Sequence, residues 1–280
     1  MKRIGIYIVI VVCILSCISS RRNLLTETRL MLVDTRATEH TAALFYNLRQ
    51  LTGKRVVYGQ HNYEMDGFDS DSTRWRDEAN RCDAYDVTGA YPALASFDFL
   101  HFTNPRSWET KELNYIQEKF HVAYNRGNVI TFCWHYYNPV TGGNFYDTTQ
   151  VVRHILPGGS YHATFKADLK IIADFAHNAK GDDGELIPII FRPWHEFDGN
   201  WFWWGKNHCS VEEFKKLYRF TGPYLRDSLE GHNFLYAFSP DCGFTTEAEY
   251  LERYPGDKYV AVVGMDNFLD FRPDGGDTSV

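Results

Sequence analysis

Six apolar runs punctuate the chain: Arg55–Gln60, Pro92–Asp98, Asn128–His135, Ile187–Pro193, Asn233–Asp241 and Tyr259–Asp266. Most are continuous rather than alternating, which is the pattern of strands buried on both faces. Between them lie residues at helical spacing. Leu113, Ile116, Phe120 and Ala123 share a face that stops at Gly127, and Phe165, Leu169, Ile172, Phe175 and Ala179 share another that stops at Gly181. Glycine accommodates the left-handed turn that closes a helix, so both are expected helix ends. Ser210 with Glu213 three residues on has capping-box spacing, and Leu44, Leu48 and Leu51 ahead of Gly53 mark an earlier helix.

Buried strands alternating with helices predict a parallel sheet, either open and doubly wound or closed into a barrel. No glycine-rich phosphate turn follows the first run. Polar or aromatic residues instead end nearly every run: Gln60-His61, Asp98, Trp134-His135, His195-Glu196, Asp241, and Asp266 on to Phe268. A (β/α)8 barrel gathers functional groups at that face, whereas an open sheet concentrates them at one switch point. The expected architecture is an α/β TIM barrel over residues 36–280, with about six of its eight βα units legible and no internal linker or repeat.

The N-terminus has a different pattern. Met1-Lys2-Arg3 is followed by an apolar run from Ile4 to Leu15, shorter than the roughly 20 residues a membrane-spanning helix needs. This is the pattern of a secretory signal. It ends Ile14-Leu15-Ser16-Cys17, which resembles a bacterial lipobox, so residues 1–17 are expected as a signal peptide with Cys17 lipidated and residues 18–35 as a polar tether. A plain signal cut near Ser19-Ser20 is the alternative. In either case the chain is expected to be exported, touching a membrane only through a lipid anchor, with the choice between periplasmic and outer face left open.

Composition narrows the partners. Lys and Arg number 29 against 36 Asp and Glu, a net charge of −7 that offers nothing to a phosphate backbone, so no nucleic acid is expected. Aromatic residues reach 16%, an excess that suits a ligand-lining surface. Cys82, Cys133, Cys209 and Cys242 remain beyond the signal. Their pairing is open and their spacing is not that of a zinc site, so no metal or cofactor is expected.

The most informative stretch is Phe191-Arg-Pro-Trp-His-Glu196-Phe-Asp-Gly-Asn-Trp201-Phe-Trp-Trp204-Gly205. It leaves a buried run and sets a His-Glu pair beside a dense aromatic group. A carboxyl among aromatic rings is poorly solvated, which favours its neutral, proton-donating form. Indole rings offer flat faces to the CH-rich side of a sugar. The plainer reading pairs Glu196 with Arg192 and makes the tryptophans barrel packing.

This run resembles the acid/base motif of glycoside hydrolase family 26, whose best-known members are endo-β-1,4-mannanases. Trp134-His135 and the Tyr254-Pro-Gly-Asp-Lys-Tyr-Val stretch agree with it, and the resemblance extends from about residue 36 to the end. It implies retaining hydrolysis of a β-mannan by two glutamates about 5–5.5 Å apart, with Glu196 as acid/base. It further implies substrate-binding roles for His135, His195, Trp201 and Phe268, the last standing where the family commonly has Tyr. Trp203 and Trp204 are expected to wall the site rather than to stack on sugar. Other β-glycans handled by the family, β-1,3-xylan and mixed-linkage glucan, stay open as substrates. A metal hydrolase built on His135, His195 and Glu196 fails on spacing.

The family's nucleophile ends a seventh strand. Too few residues follow Asp266 for a helix and a further strand, and Glu212, Glu213, Glu230, Glu247, Glu249 and Glu252 all fall on expected helices or loops. The nucleophile is therefore expected outside these residues, the chain being a fragment or a frameshifted reading. The alternative is a short lipoprotein that binds glycan without cleaving it.

Overall fold

A computed structural model describes residues 24–267, apart from 70–72, 77, 79–80 and 104–109. All six expected runs enter one parallel sheet: β1 (Gly59–His61), β4 (Leu94–Asp98), β5 (Val129–Cys133), β6 (Ile189–Arg192), β7 (Phe234–Phe238) and β8 (Val262–Val263). An antiparallel hairpin, β2 (Asp66–Phe68) with β3 (Arg74–Arg76), interrupts the loop after β1. The sheet order β1-β4-β5-β6-β7-β8 follows the chain without reversal. A doubly wound sheet reverses at its switch point, so the observed order is that of a barrel wall.

The two outer strands are shorter than their apolar runs. β1 pairs only from Gly59, opposite Leu94, and Val56 ahead of it is 96% exposed. Among the described residues β1 and β8 each have a ladder on one side only, and apolarity alone does not hold a strand there. The hairpin's strands are only three residues each and carry Asp66, Arg74 and Arg76, so they leave no apolar run to read.

The helices are α1 (Glu39–Leu51), α2 (Asp83–Thr88), α3 (Leu100–Thr103), α4 (Thr110–Arg126), α5 (Val152–Ile155), α6 (His162–Asn178), α7 (Val211–Pro223) and α8 (Glu247–Leu251), and α4 and α6 cover the outer face. Ile116, Phe120 and Ala123 of α4 and Phe165, Leu169 and Ile172 of α6 pack with Phe97, Phe132, Phe191 and Phe234 of the strands. Gly127, at φ 103°, closes α4 as expected. Gly181 does not close α6, which ends three residues earlier at Asn178. Gly181 instead belongs to a tight loop where its N–H donates to the Glu185 carbonyl. At α7, Ser210 Oγ accepts the Glu213 N–H while the Glu213 carboxylate accepts the Ser210 N–H at 2.8 Å, the reciprocal cap read from the spacing.

Alternate strand residues form a second cluster. Ile190, Leu235 and Ala237 are buried against Ala42 of α1, with Leu44, Phe45 and Leu48 alongside, so α1 packs across the sheet's other face near the strand starts. Residues 24–34, within the expected tether, join this plug. They are helical over 24–30, Leu25 and Leu32 are buried in it, and Arg226 Nη1 holds the Val33 carbonyl at 2.9 Å. Arg36 reaches Asp227 at 3.0 Å and Glu230 at 3.1 Å. Cys17 and the rest of the expected signal lie outside the described residues. Among the described residues no helix is long and apolar enough to cross a membrane.

Candidate active site

The chain leaves β6 through a strained turn. Trp194 and Glu196 both take left-handed backbone conformations, at φ 55° and 53°. Bulky residues rarely do so, and such strain is kept where a side chain must be aimed. The surroundings hold the turn: the Glu196 N–H donates to the Ser239 carbonyl beyond β7 at 2.9 Å, and Trp204 Nε1 donates to the His195 carbonyl at 2.8 Å. Asp198 fastens the same loop to the next, accepting the N–H groups of Asp241 at 2.6 Å and Gly243 at 3.1 Å.

Glu196 is half-buried, and Trp201 Nε1 donates to its Oε2 at 2.7 Å. The indole lies against Gly199, where any side chain would run into the ring, so glycine is required there. Burial pushes the Glu196 carboxyl above its ordinary value. The negative charges of Asp266 and Asp241 add to the rise, and the Trp201 N–H and Arg192 oppose it. Arg192 pairs with Asp266 rather than with Glu196, and Ser239 Oγ donates to the same Asp266 oxygen at 2.9 Å. The plainer expectation of a Glu196–Arg192 pair is thus not what the structure forms.

The two histidines meet beside Glu196. His135, after β5, and His195 approach Nε2 to Nε2 at 3.2 Å. Asp98, ending β4, holds His135 from behind: its Oδ2 accepts from Nδ1 at 2.6 Å and its Oδ1 accepts the His135 backbone N–H at 3.1 Å. Burial would raise the Asp98 carboxyl, but the bond and charge of His135 outweigh it, with further help from backbone N–H groups, and hold it well below the usual range. His195 is fully buried, and desolvation together with Arg192 and His135 drives its pKa well down, so it is neutral at ordinary pH. Asp98, Cys133 and His135 each bring a potential ligand atom within 4.8 Å of the others. The 2.6 Å Asp98–His135 contact, however, places a proton where a cation would have to bind.

The tryptophans divide by burial. Trp134, Trp194, Trp203 and Trp204 are wholly buried, and each Nε1 is satisfied inside the protein, Trp203 by the Tyr136 carbonyl at 2.8 Å. Trp201 is 39% exposed. Phe202 stacks on Trp204 at 4.5 Å between ring centres and meets both histidine rings edge-on, closing the floor. The structure therefore brings His135, His195, Glu196 and Trp201 together at one end of the sheet. Phe268 lies outside the described residues. Asp98 was legible as a strand-end carboxylate, but sequence reasoning gave it no role, and its partner His135 is 37 residues away. The four cysteines whose pairing was open are all free thiols.

Comparison with known proteins agrees with the motif. A mannan endo-1,4-β-mannosidase of Bifidobacterium adolescentis is 40% identical over 242 residues, covering 84% of this chain and 24% of that protein. The chain spans about half of a Bacillus subtilis mannan endo-1,4-β-mannosidase, at 27% identity. Among solved structures, GH26C from Muricauda sp. MAR_2010_75 superposes with a TM-score of 0.83 at 40% identity, covering 90% of this chain and 69% of that one. A modular endo-β-1,4-mannanase from Cellulomonas fimi superposes at 0.77 with 39% identity, covering 84% and 53%. The glycosyl hydrolase family 26 model matches residues 33–278, nearly the whole of the described barrel, and on that match the chain belongs to glycosyl hydrolase family 26.

Proposed function

We propose that this chain carries the acid/base half of a retaining endo-β-1,4-mannanase active site, with Glu196 as the proton donor and a nucleophilic glutamate lying beyond residue 280. The observation that carries the reading is the Glu196 carboxyl itself: aimed by a strained turn at the end of β6, held by Trp201, and pushed by burial toward the form that donates a proton. Glu196 would protonate the departing glycosidic oxygen and then, as carboxylate, take a proton from the water that releases the glycosyl-enzyme. Trp201 offers an exposed ring edge-bound to the acid, and the His135–His195 pair offers ring nitrogens for hydrogen bonds to hydroxyls. A neutral polysaccharide such as mannan, galactomannan or glucomannan fits that surface. The mannanase names of the relatives support the substrate class.

Glu196→Ala tests the assignment. Release of reducing ends from polymeric mannan should fall about a thousandfold, while aryl mannosides with good leaving groups should lose far less, since they need little proton donation. Equal losses on both substrates would reject Glu196 as the acid. Export with lipidation at Cys17 belongs to the same proposal and rests on the N-terminal pattern. Cys17→Ala should shift the protein from the membrane fraction to the soluble one, and an unchanged distribution would remove the anchor.

A further inference from the structure

The Asp98–His135–His195 contacts form a directed chain. Asp98 is buried and takes three N–H groups: Leu100 at 2.8 Å and the His135 backbone at 3.1 Å on Oδ1, and the His135 ring on Oδ2. A carboxylate held that far into its ionised form has no proton to give, so the proton between it and His135 resides on Nδ1. In a neutral imidazole that leaves Nε2 bare. The bare Nε2 faces His195 Nε2 at 3.2 Å, and since two lone pairs do not bond, the facing nitrogen of His195 must carry the hydrogen. His195 Nδ1 is then a bare acceptor. It is buried and has no hydrogen-bond partner among the described residues.

We propose that Asp98 is a positioning residue for the acid/base site: through His135 it sets the tautomer and ring orientation of His195, the residue that precedes Glu196. Asp98 touches neither Glu196 nor the space in front of it. Its influence passes through two imidazoles, the second locked on its main-chain side by Trp204. Only the activity arm of the test rests on the reading of Glu196 as acid.

Asp98→Asn separates this role from a merely structural one. Oδ1 already serves two backbone N–H groups, so the amide oxygen stays there and the amide N–H groups turn toward His135 Nδ1. Nδ1 must then lose its hydrogen, and both tautomers should exchange. Long-range 1H–15N correlation spectra of the 15N-histidine-labelled full chain, assigned with His135→Gln and His195→Gln, read this directly. The wild type should show His135 protonated at Nδ1 alone and His195 at Nε2 alone, and Asp98→Asn should invert both. A wild-type His195 protonated at Nδ1, or a doubly protonated His135, overturns the proposal without any variant having to fold. So does an Asp98→Asn spectrum in which His135 changes and His195 does not.

In a form of the protein that hydrolyses mannan, Asp98→Asn should lower kcat about a hundredfold, the effect of slight misplacement near the reacting atoms, with KM for mannohexaose changed by no more than about twofold. A raised KM at unchanged kcat would make Asp98 a ground-state binding group and overturn the positioning role. Equal losses of Glu196→Ala on mannan and on aryl mannosides in that form would strike the acid/base reading and leave the tautomer result standing, so the two failures are distinguishable.

Discussion

The inner face of the sheet has two ends built from the same strands and almost opposite chemistry. Toward the strand starts, Ile190 and Leu235, with Ala237 one layer further on, meet α1 and residues 24–34 in an apolar plug. At the strand ends, Asp98, Arg192, Ser239, Asp266 and the two histidines form a hydrogen-bonded polar rim around Glu196. The plug gains from burying area, and among the described residues none of its side-chain-bearing positions takes a left-handed conformation. The rim buries charges, keeps two residues in left-handed conformations and holds a histidine nitrogen that has no partner among the described residues. One end supplies stability and the other spends some of it on aim, which is the division expected of a barrel whose function sits at the carboxyl face.

Substitutions should separate the ends. Trp204→Ala attacks the support under the rim, removing a wholly buried indole and the bond to the His195 carbonyl. Urea denaturation should show a loss of about 3–5 kcal/mol, and activity should fall as well, since the turn carrying Glu196 loses its anchor. Leu235→Ala in the plug should cost about 2–5 kcal/mol by the same measurement, yet leave kcat unchanged in protein assayed well below its melting point. A kcat that fell with it would show that the two ends are coupled, and the division would fail.

Trp201→Ala should do the reverse, costing less than about 1 kcal/mol of stability because the ring is partly exposed. Titration calorimetry with mannohexaose should show weaker binding, by about tenfold for a lost contact worth about 1.4 kcal/mol. The Trp201 N–H also favours the Glu196 carboxylate, so its removal should raise the Glu196 pKa further and move the alkaline limb of kcat/KM upward. A limb that moved down would contradict the hydrogen bond.

The smallest effect concerns Glu196→Gln. The folded carboxyl keeps its proton to higher pH than the unfolded one, so the stability linked to it is complete at low pH and is lost as pH rises through the folded value. Glutamine never ionises and keeps the shape. The variant should therefore melt higher than wild type at about pH 8 and nearly level with it at about pH 4. A gain equal at both would mean that electrostatics is not its source.

Much of this was legible along the chain. Continuous apolar runs located all six strands because burial on both faces leaves no polar positions, and a run carries that signature wherever it sits. Spacing gave the Ser210–Glu213 cap because a cap is a contact three residues long. Edge strands were overestimated because pairing depends on a neighbour that composition does not reveal. Gly181 was misassigned as a closing residue for a similar reason: the loop, not the helix, uses it. The motif around Glu196 holds seven aromatics that look alike by residue type; the family resemblance set Trp201 apart from Trp203 and Trp204, and burial divides them the same way.

The sequence by itself determined the strand–helix alternation, the barrel class, the acidic charge balance and the His-Glu-Trp run that marks the family, since each depends on residue type and short spacing. Tertiary structure alone decided that Arg192 serves Asp266 instead of Glu196, that Glu196 is bound by Trp201, and that Asp98 stands behind His135. Asp98 and His135 meet across adjacent parallel strands, Arg192 and Asp266 meet from strands on either side of β7, 74 positions apart, and Trp201 returns to Glu196 within one folded loop. Their partners are chosen by strand register and burial, and neither quantity is local to the chain.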